Sequence, residues 1–147
     1  MATSSFRPCS WAARPASHPC TVNSTTATTL AERVIARGRG SDEDRAGLAI
    51  ELEAAAAALE QVAASAAAAD DNDALLARAL CARFATERAI ERVAMSAAAV
   101  LGGMAFVESP EVAYLLATTR ALAFHPPSRA TAVGPIAHYL TDGLLTL

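Results

Sequence analysis

The chain has 147 residues, a length that suits one domain. Its composition is 53% apolar and only 5% aromatic, which excludes a wholly disordered chain and disfavours an all-β fold, because strands need aromatic and β-branched residues. The net charge of −3 provides no electrostatic footprint for phosphate binding, so we expect no nucleic-acid partner.

Residues 1–27 mix Ser, Thr, Pro and Cys without a helical period, and we predict a poorly ordered N-terminal tail there. This segment lacks the continuous apolar run of a secretory signal. The longest nearly uncharged run, residues 93–107, is too short to cross a bilayer. Cys9, Cys20 and Cys81 form no C-x-x-C pair, which indicates neither a disulfide framework nor a metal site. We therefore expect a cytoplasmic protein with no bound metal and no membrane contact.

The remaining residues, 28–147, carry the signals of a helical domain. A short first helix is predicted to end near Gly38. Ser41 and the acidic residues after it are typical of an N-cap and first turn, and an alanine-rich helix follows as far as about residue 69. Residues 70–73 lack the glycine and terminal glutamate of an EF-hand loop. They are predicted to form a turn and the cap of the next helix.

The long third helix is predicted from residue 73 to about residue 101, where a Gly-Gly pair ends it. Its charged face, which includes Arg83 and Glu87, is predicted to be solvated, with weak pairs four residues apart. Ser109-Pro110-Glu111 is a strong start signal for a fourth helix, which Pro126-Pro127 stops.

A last helix is predicted from about residue 129 to 142, kinked or interrupted at Gly134-Pro135. Short loops join these elements. The pattern predicts an all-α fold, an antiparallel four-helix bundle with a short additional N-terminal helix.

Two stretches of the sequence, LCARFATERAIERVAMSAAAVLGGMAF and then SPEVAYLLATTRALAF, carry more than helical periodicity. They resemble the C-terminal helical domain of the acyl-CoA dehydrogenase superfamily, in which a long helix runs into a Gly-Gly loop and a second helix ends in an arginine-containing turn. The likeness extends more faintly back to about residue 28. It implies a helical domain that packs in an oligomer and lends residues to the flavin site of a neighbouring subunit.

The resemblance also implies which residues contact the cofactor. Gly102 and Gly103 match the loop that approaches the dinucleotide, Arg120 matches the second arginine of the family's Arg-Asp-Ala-Arg turn, and Ser128 matches a flavin-contacting threonine. Ser128 equally well N-caps the last helix. The chain departs from the family pattern at several further positions: Ala99 stands for a glutamine, Phe106 for a tyrosine, and Ala117 and Thr118 for the first two members of the arginine turn.

The departure with the largest chemical consequence is in the turn His125-Pro126-Pro127-Ser128. Many dehydrogenases of the family have Tyr-Glu-Gly-Thr there, and the glutamate removes the α-proton of an acyl thioester. Proline cannot accept a proton, so this position cannot supply that step. The His-Pro turn is similar to the flavin monooxygenase branch, which makes His125 the candidate catalytic residue. The alternative is that His125 caps the C-terminus of the preceding helix.

Three functions stay open at this point. The first is a partner subunit of a flavin-dependent oxidoreductase or monooxygenase acting on an acyl or other hydrophobic biosynthetic intermediate, with FAD or FMN shared with a partner chain in a homo- or hetero-oligomer. An exposed apolar face would be its signature. The second is a cofactor-free cyclase or isomerase with a pocket between helices, to which His125, Arg120 or Glu87 would contribute. The third is a structural dimerisation module.

Overall fold

A computed structural model describes residues 19–68 and 73–141 of the chain. Within these residues there are only helices and loops, which confirms the all-α prediction. The helices are α1 (Pro19–Ala36), α2 (Asp42–Ala68), α3 (Asp73–Leu101), α4 (Gly103–Glu108), α5 (Pro110–Thr118) and α6 (Arg129–Thr141), with a 3₁₀ segment at Thr119–Phe124 between the last two. None of the helices in the described part of the chain is long and apolar enough to span a bilayer.

Helix α1 is longer than the sequence pattern predicts, because it begins at Pro19 rather than near residue 28. Proline suits the first helical position, where its missing N–H is not needed. The helix is held by one apolar stripe, in which Ala27, Leu30, Ala31 and Val34 are all buried. Residues 19–27 are therefore helical, whereas the rest of the predicted tail lies outside the described residues.

Helix α2 begins as predicted, at a cap formed by Ser41. The Ser41 hydroxyl accepts a hydrogen bond from the Asp44 amide at 3.1 Å, and Oδ2 of Asp44 accepts one from the Ser41 amide at 2.8 Å. This reciprocal pairing satisfies amides that the first helical turn leaves unpaired. The hydrogen bond from the Ser41 backbone is the main reason why the pKa of Asp44 is lowered. The predicted turn and cap at residues 70–73 fall largely outside the described residues, and Asp73 is the first residue of α3.

Helix α3 is the central element, since α1, α2, α5, α6 and the 3₁₀ segment all pack against it. Its 29 residues make it about 43 Å long. The large core cluster lies around its C-terminal half: Ala27, Leu30, Ala31, Val34, Leu48, Leu52, Ile90, Val93, Ala94, Ala97, Leu101, Ala105 and Val112. A small cluster of Leu80, Phe84 and Ala132 joins its N-terminal half to α6.

The segment after α3 differs from the prediction in two places. The diglycine ends α3 as expected, but Gly103 also begins the short helix α4. Helix α5 starts at Pro110 as expected, yet it ends at Thr118 and continues as a 3₁₀ segment to Phe124. Helix α6 runs through Pro135 without interruption. A kink at this proline, the other alternative of the prediction, stays a prediction, since the proline ring crowds the preceding turn.

Candidate functional site

The turn at His125 follows directly on the 3₁₀ segment and lies against α3. Arg83 of α3 donates hydrogen bonds to the carbonyl oxygens of His125 and Pro127. The His125 side chain is exposed, and its Nδ1 lies 3.0 Å from the carbonyl oxygen of Pro126. A carbonyl can only accept, so Nδ1 carries the hydrogen and Nε2 is the basic nitrogen of the neutral ring. This hydrogen bond points forward along the chain rather than back to the carbonyls of the preceding helix.

Ser128 has a well-defined structural role at the start of α6. Its Oγ accepts a hydrogen bond from the Thr131 amide at 3.3 Å and lies 3.2 Å from the Thr131 hydroxyl. This is the geometry of an N-cap, the alternative that the sequence left open. A contact of Ser128 with flavin stays a prediction.

Arg120 belongs to the 3₁₀ segment and pairs with Glu91 of α3, with Nη1 2.9 Å from the carboxylate. The ion pair is exposed to solvent on the rim of a groove of about 370 Å³ between α3, α4 and α5. We refer to this feature as the apolar groove. Its lining consists of Glu91, Met95, Phe106, Ala113, Leu116, Ala117, Thr119 and Arg120.

The two glycines of the diglycine differ in what they require. Gly102 has a φ of +83° and a ψ of 163°, a backbone region that is essentially restricted to glycine and costs other residues about 1–3 kcal/mol. Its amide nitrogen lies 3.1 Å from the carbonyl oxygen of Ala98. A Cβ atom on either Gly102 or Gly103 would meet no atom within 4 Å. No neighbouring atom of the described chain therefore requires a glycine at position 103. Another molecule could approach the backbone closely there.

The predicted site residues lie at three levels along α3 rather than in one pocket. The His125 turn is held at Arg83, Arg120 is held at Glu91, and Gly102 follows the last residue of α3. From Arg83 to Gly102 the helix rises about 28 Å. An elongated ligand could reach all three levels, whereas a compact substrate could contact only one.

Comparison with known proteins identifies the family. The sequence model described as "Acyl-CoA dehydrogenase, C-terminal domain" matches residues 16–125, well over half of the chain. The chain belongs to the acyl-CoA dehydrogenase family. It is also 40% identical over 121 residues to isobutylamine N-hydroxylase of Streptomyces viridifaciens, a match that covers 82% of this chain and 32% of the relative. No solved structure gives a significant match.

The match therefore spans about a third of the relative's length. The family model reaches His125 and stops there, so Ser128 and α6 lie beyond the region that it matches. The confirmed resemblance is that of the helical C-terminal domain, which contains the diglycine, Arg120 and the imidazole. The roles of these residues in this member of the acyl-CoA dehydrogenase family stay predictions.

Charged residues of α3 are the site component that sequence reasoning missed. Their face was predicted to be simply solvated, but Arg83 binds the His125 turn, and Arg92 forms two hydrogen bonds with Glu51 of α2 at 3.0 and 2.6 Å. Glu87 is buried rather than solvated. These partners lie about 30 to 45 residues away along the chain or on another helix, so helical periodicity could not have indicated them.

A second cavity of about 450 Å³ lies between the start of α3 and α6. It is lined by Asp73, Ala74, Leu76, Gly134, Pro135, His138 and Tyr139. Arg78 donates a hydrogen bond to the Tyr139 hydroxyl at 3.0 Å beside it. None of the predicted site residues lines this cavity. Among the residues that the structure describes, no group of three or more His, Cys, Asp or Glu side chains could hold a metal ion.

Proposed function

We propose that this chain is a partner subunit of a flavin-dependent oxidoreductase, of the monooxygenase type, acting on an acyl or other hydrophobic biosynthetic intermediate. In this proposal the helices form the family's antiparallel bundle and associate with a cytoplasmic chain that supplies further flavin contacts. The observation that carries the proposal is the apolar groove, the exposed apolar face that a partner subunit needs.

The groove exposes large apolar side chains of three helices. Met95 of α3 is 61% exposed and Phe106 of α4 is 36% exposed, and the half-buried Leu116 of α5 also lines the groove. Exposed apolar side chains that meet in a groove are candidate contacts for a partner chain. The Glu91–Arg120 ion pair on the rim would give a partner a fixed polar contact beside the apolar one.

The residues present fit the outer contacts of a flavin dinucleotide. Gly103 borders open space, which lets a cofactor approach the backbone. The Arg120 guanidinium, although paired with Glu91, has further N–H donors for a phosphate or a ring oxygen. FAD or FMN, when bound, would supply the redox chemistry.

His125 is the group proposed to handle a proton. Its Nε2 carries the lone pair, since Nδ1 donates to Pro126. Pro126 stands where the dehydrogenases have their glutamate and cannot accept a proton, which argues against α-proton abstraction from this turn. The likeness to isobutylamine N-hydroxylase supports hydroxylation in place of dehydrogenation. The amine acted on by that relative suggests a hydrophobic amine as one candidate substrate.

The alternatives receive less support from the geometry. A cofactor-free enzyme would need a cavity reached by His125, Arg120 or Glu87. Of these three, only Arg120 lines a described groove, and that groove is open. A purely structural dimerisation module would not require the open edge at Gly103.

The first experiment tests the need for a partner. The purified chain should be helical and colourless, and neither FAD nor FMN should bind it stoichiometrically in a titration followed by flavin fluorescence. Isobutylamine N-hydroxylase from which the matching third has been removed is then mixed with this chain. Recovery of flavin binding would support the proposal, and a yellow, flavin-loaded preparation of the chain alone would contradict it.

Two variants test in the same assay whether the apolar groove is the surface that binds the partner. Met95→Glu places a charge in the apolar groove and should abolish recovery. Ile50→Glu is the matched control, because Ile50 on α2 is exposed to a similar degree and does not line the groove. If Met95→Glu and Ile50→Glu behave alike, the groove is not the partner surface.

A further inference from the structure

We propose that Arg83 is a positioning residue that clamps the His125-Pro126-Pro127 turn, and with it the His125 imidazole, against α3. The clamp itself stands on geometry alone. Its importance for catalysis rests on the proposed function of His125.

The guanidinium of Arg83 bridges two carbonyls of the turn. Nη2 donates to the carbonyl oxygen of His125 and Nη1 donates to that of Pro127. The planar fork of an arginine presents two such donors in a fixed arrangement, which the single ammonium of a lysine cannot reproduce. The two hydrogen bonds therefore fix the position of the turn and also its orientation.

The turn depends on this outside support because it has few donors of its own. Pro126 and Pro127 have no N–H. Among the described backbone hydrogen bonds outside the helices, none involves residues 125–127. The hydrogen bond from His125 to Pro126 is internal to the turn and does not attach it to a helix. The Tyr-Glu-Gly-Thr turn of the dehydrogenases has two amides at the positions of these prolines.

Arg83 is itself held in place by an aromatic ring. Its guanidinium carbon lies 4.9 Å from the centroid of Phe84, and that of Arg129 in α6 lies 5.4 Å from the same centroid. Both distances are within the range of a cation–π contact. Phe84 is buried in the small cluster with Ala132 of α6. One ring thus aligns the clamp and also anchors the helix that follows the turn.

The test uses the full chain and follows the His125 imidazole together with the first turn of α6, which comes directly after the His125 turn. Backbone amide exchange of Thr131 and Ala132, which bond to Ser128 at the start of α6, is followed by NMR together with the line width of the His125 imidazole signal. Arg83→Ala should speed exchange by about tenfold, the effect of losing hydrogen bonds from a charged donor. Arg83→Lys keeps the charge and the stem but should recover only part of the protection.

Arg88→Ala is the matched control, because Arg88 is an exposed arginine of the same helix, and it should leave both signals unchanged. Exchange within about twofold of the wild type in both Arg83 variants would overturn the clamp. If Arg83→Ala does not fold, the exchange rates of Arg83→Lys alone decide whether the clamp exists.

Activity of the reconstituted complex separates the clamp from the proposed function. The clamp predicts that Arg83→Lys lowers kcat more than it changes KM, because the imidazole is displaced while the substrate site is kept. Suppose that the turn loosens in the Arg83 variants, but that His125→Ala leaves the turnover of the complex unchanged. The clamp would then stand, and the catalytic role of His125 would be refuted.

Discussion

The two ends of α3 are packed in different ways. Its C-terminal half lies in the large core cluster, among buried residues of α1, α2, α4 and α5, whereas its N-terminal half shares only the small cluster with α6. The diglycine therefore follows the well-packed end. The His125 turn lies at the sparsely packed end, where hydrogen bonds and ring contacts of arginines position it.

This difference separates stability from site geometry. Apolar burial supplies most of the free energy of folding, so the large cluster should determine whether the chain folds. The contacts around Phe84 and Arg83 should determine where the imidazole lies. Local opening of the weaker end is expected at a lower free energy than global unfolding.

The largest expected effect is that of Ile90→Ala, at the centre of the large cluster. Ile90 is 1% exposed, and truncation of such a side chain costs about 2–5 kcal/mol. Urea denaturation followed by circular dichroism measures the change. Leu76→Ala is the comparison at the other end: Leu76 is 52% exposed, and the loss should stay below about 1 kcal/mol. Equal losses would contradict the difference in burial between Ile90 and Leu76.

Phe84→Ala tests the small cluster and should lower the free energy of unfolding by about 1–3 kcal/mol. The loss is smaller than for an aromatic ring in a large core, because the small cluster has only three buried members among the described residues. The loss should be local. Hydrogen exchange should quicken in α6 and leave α1 unchanged. If α1 and α6 lose protection to the same degree, the two clusters form one cooperative unit and the contrast between the ends is wrong.

Gly38 and Gly40 together test how closely the loop before α2 approaches the C-terminal end of α3. Gly40 has a φ of +75°, and a Cβ there would lie 2.7 Å from Cγ1 of Val100, which packs on the large cluster. Gly38 has a φ of +58° with no atom within 4 Å. Gly38→Ala should cost about 1 kcal/mol for the backbone alone. Gly40→Ala should cost about 2–4 kcal/mol, because the clash adds to that strain. Thermal unfolding compares the two, and a smaller loss for Gly40→Ala would contradict the close approach.

The smallest expected effect is a pH dependence of the ion pair between α2 and α3. The hydrogen bond from Arg92 lowers the pKa of Glu51 and raises that of Arg92. Stability from this pair is therefore complete above the ordinary pKa of a glutamate and is lost as the pH falls through the lowered pKa. Both side chains are partly exposed, so the contribution should be below about 1 kcal/mol.

Glu51→Gln tests this contribution in urea titrations at several acidic pH values. The variant should be less stable than the wild type at neutral pH, and the difference should shrink under acidic conditions. A difference that grows as the pH falls would reverse the predicted sign.

Local signals in the sequence predicted most helix boundaries. The Ser41 cap, the start of α5 at Pro110 and the end of α3 before the diglycine depend on neighbouring residues, and the structure has them where the pattern indicates. The extension of α1 to Pro19 was missed because its threonine-rich start has weak helix propensity. Burial of Ala27 against the core, a tertiary contact, accompanies that extension.

The candidate site was predicted in part, and for a similar reason. His125, Arg120 and the diglycine belong to motifs that a sequence displays directly. Arg83 belongs to no motif, and its role depends on a turn 42 residues away. The burial of Glu87 likewise depends on what packs over α3. Side chains whose partners are remote in sequence can be assigned only after the fold is known.

The continuity of α3 has a consequence for any change in its length. Because a single unbroken helix carries the attachment points of the turn, the arginine and the diglycine, inserting one residue between Arg83 and Glu91 would rotate one end by about 100° relative to the other. Because the helix has no loop between these positions, it could not accommodate the insertion without this rotation. These three positions are therefore expected to diverge in residue identity far more readily than in spacing.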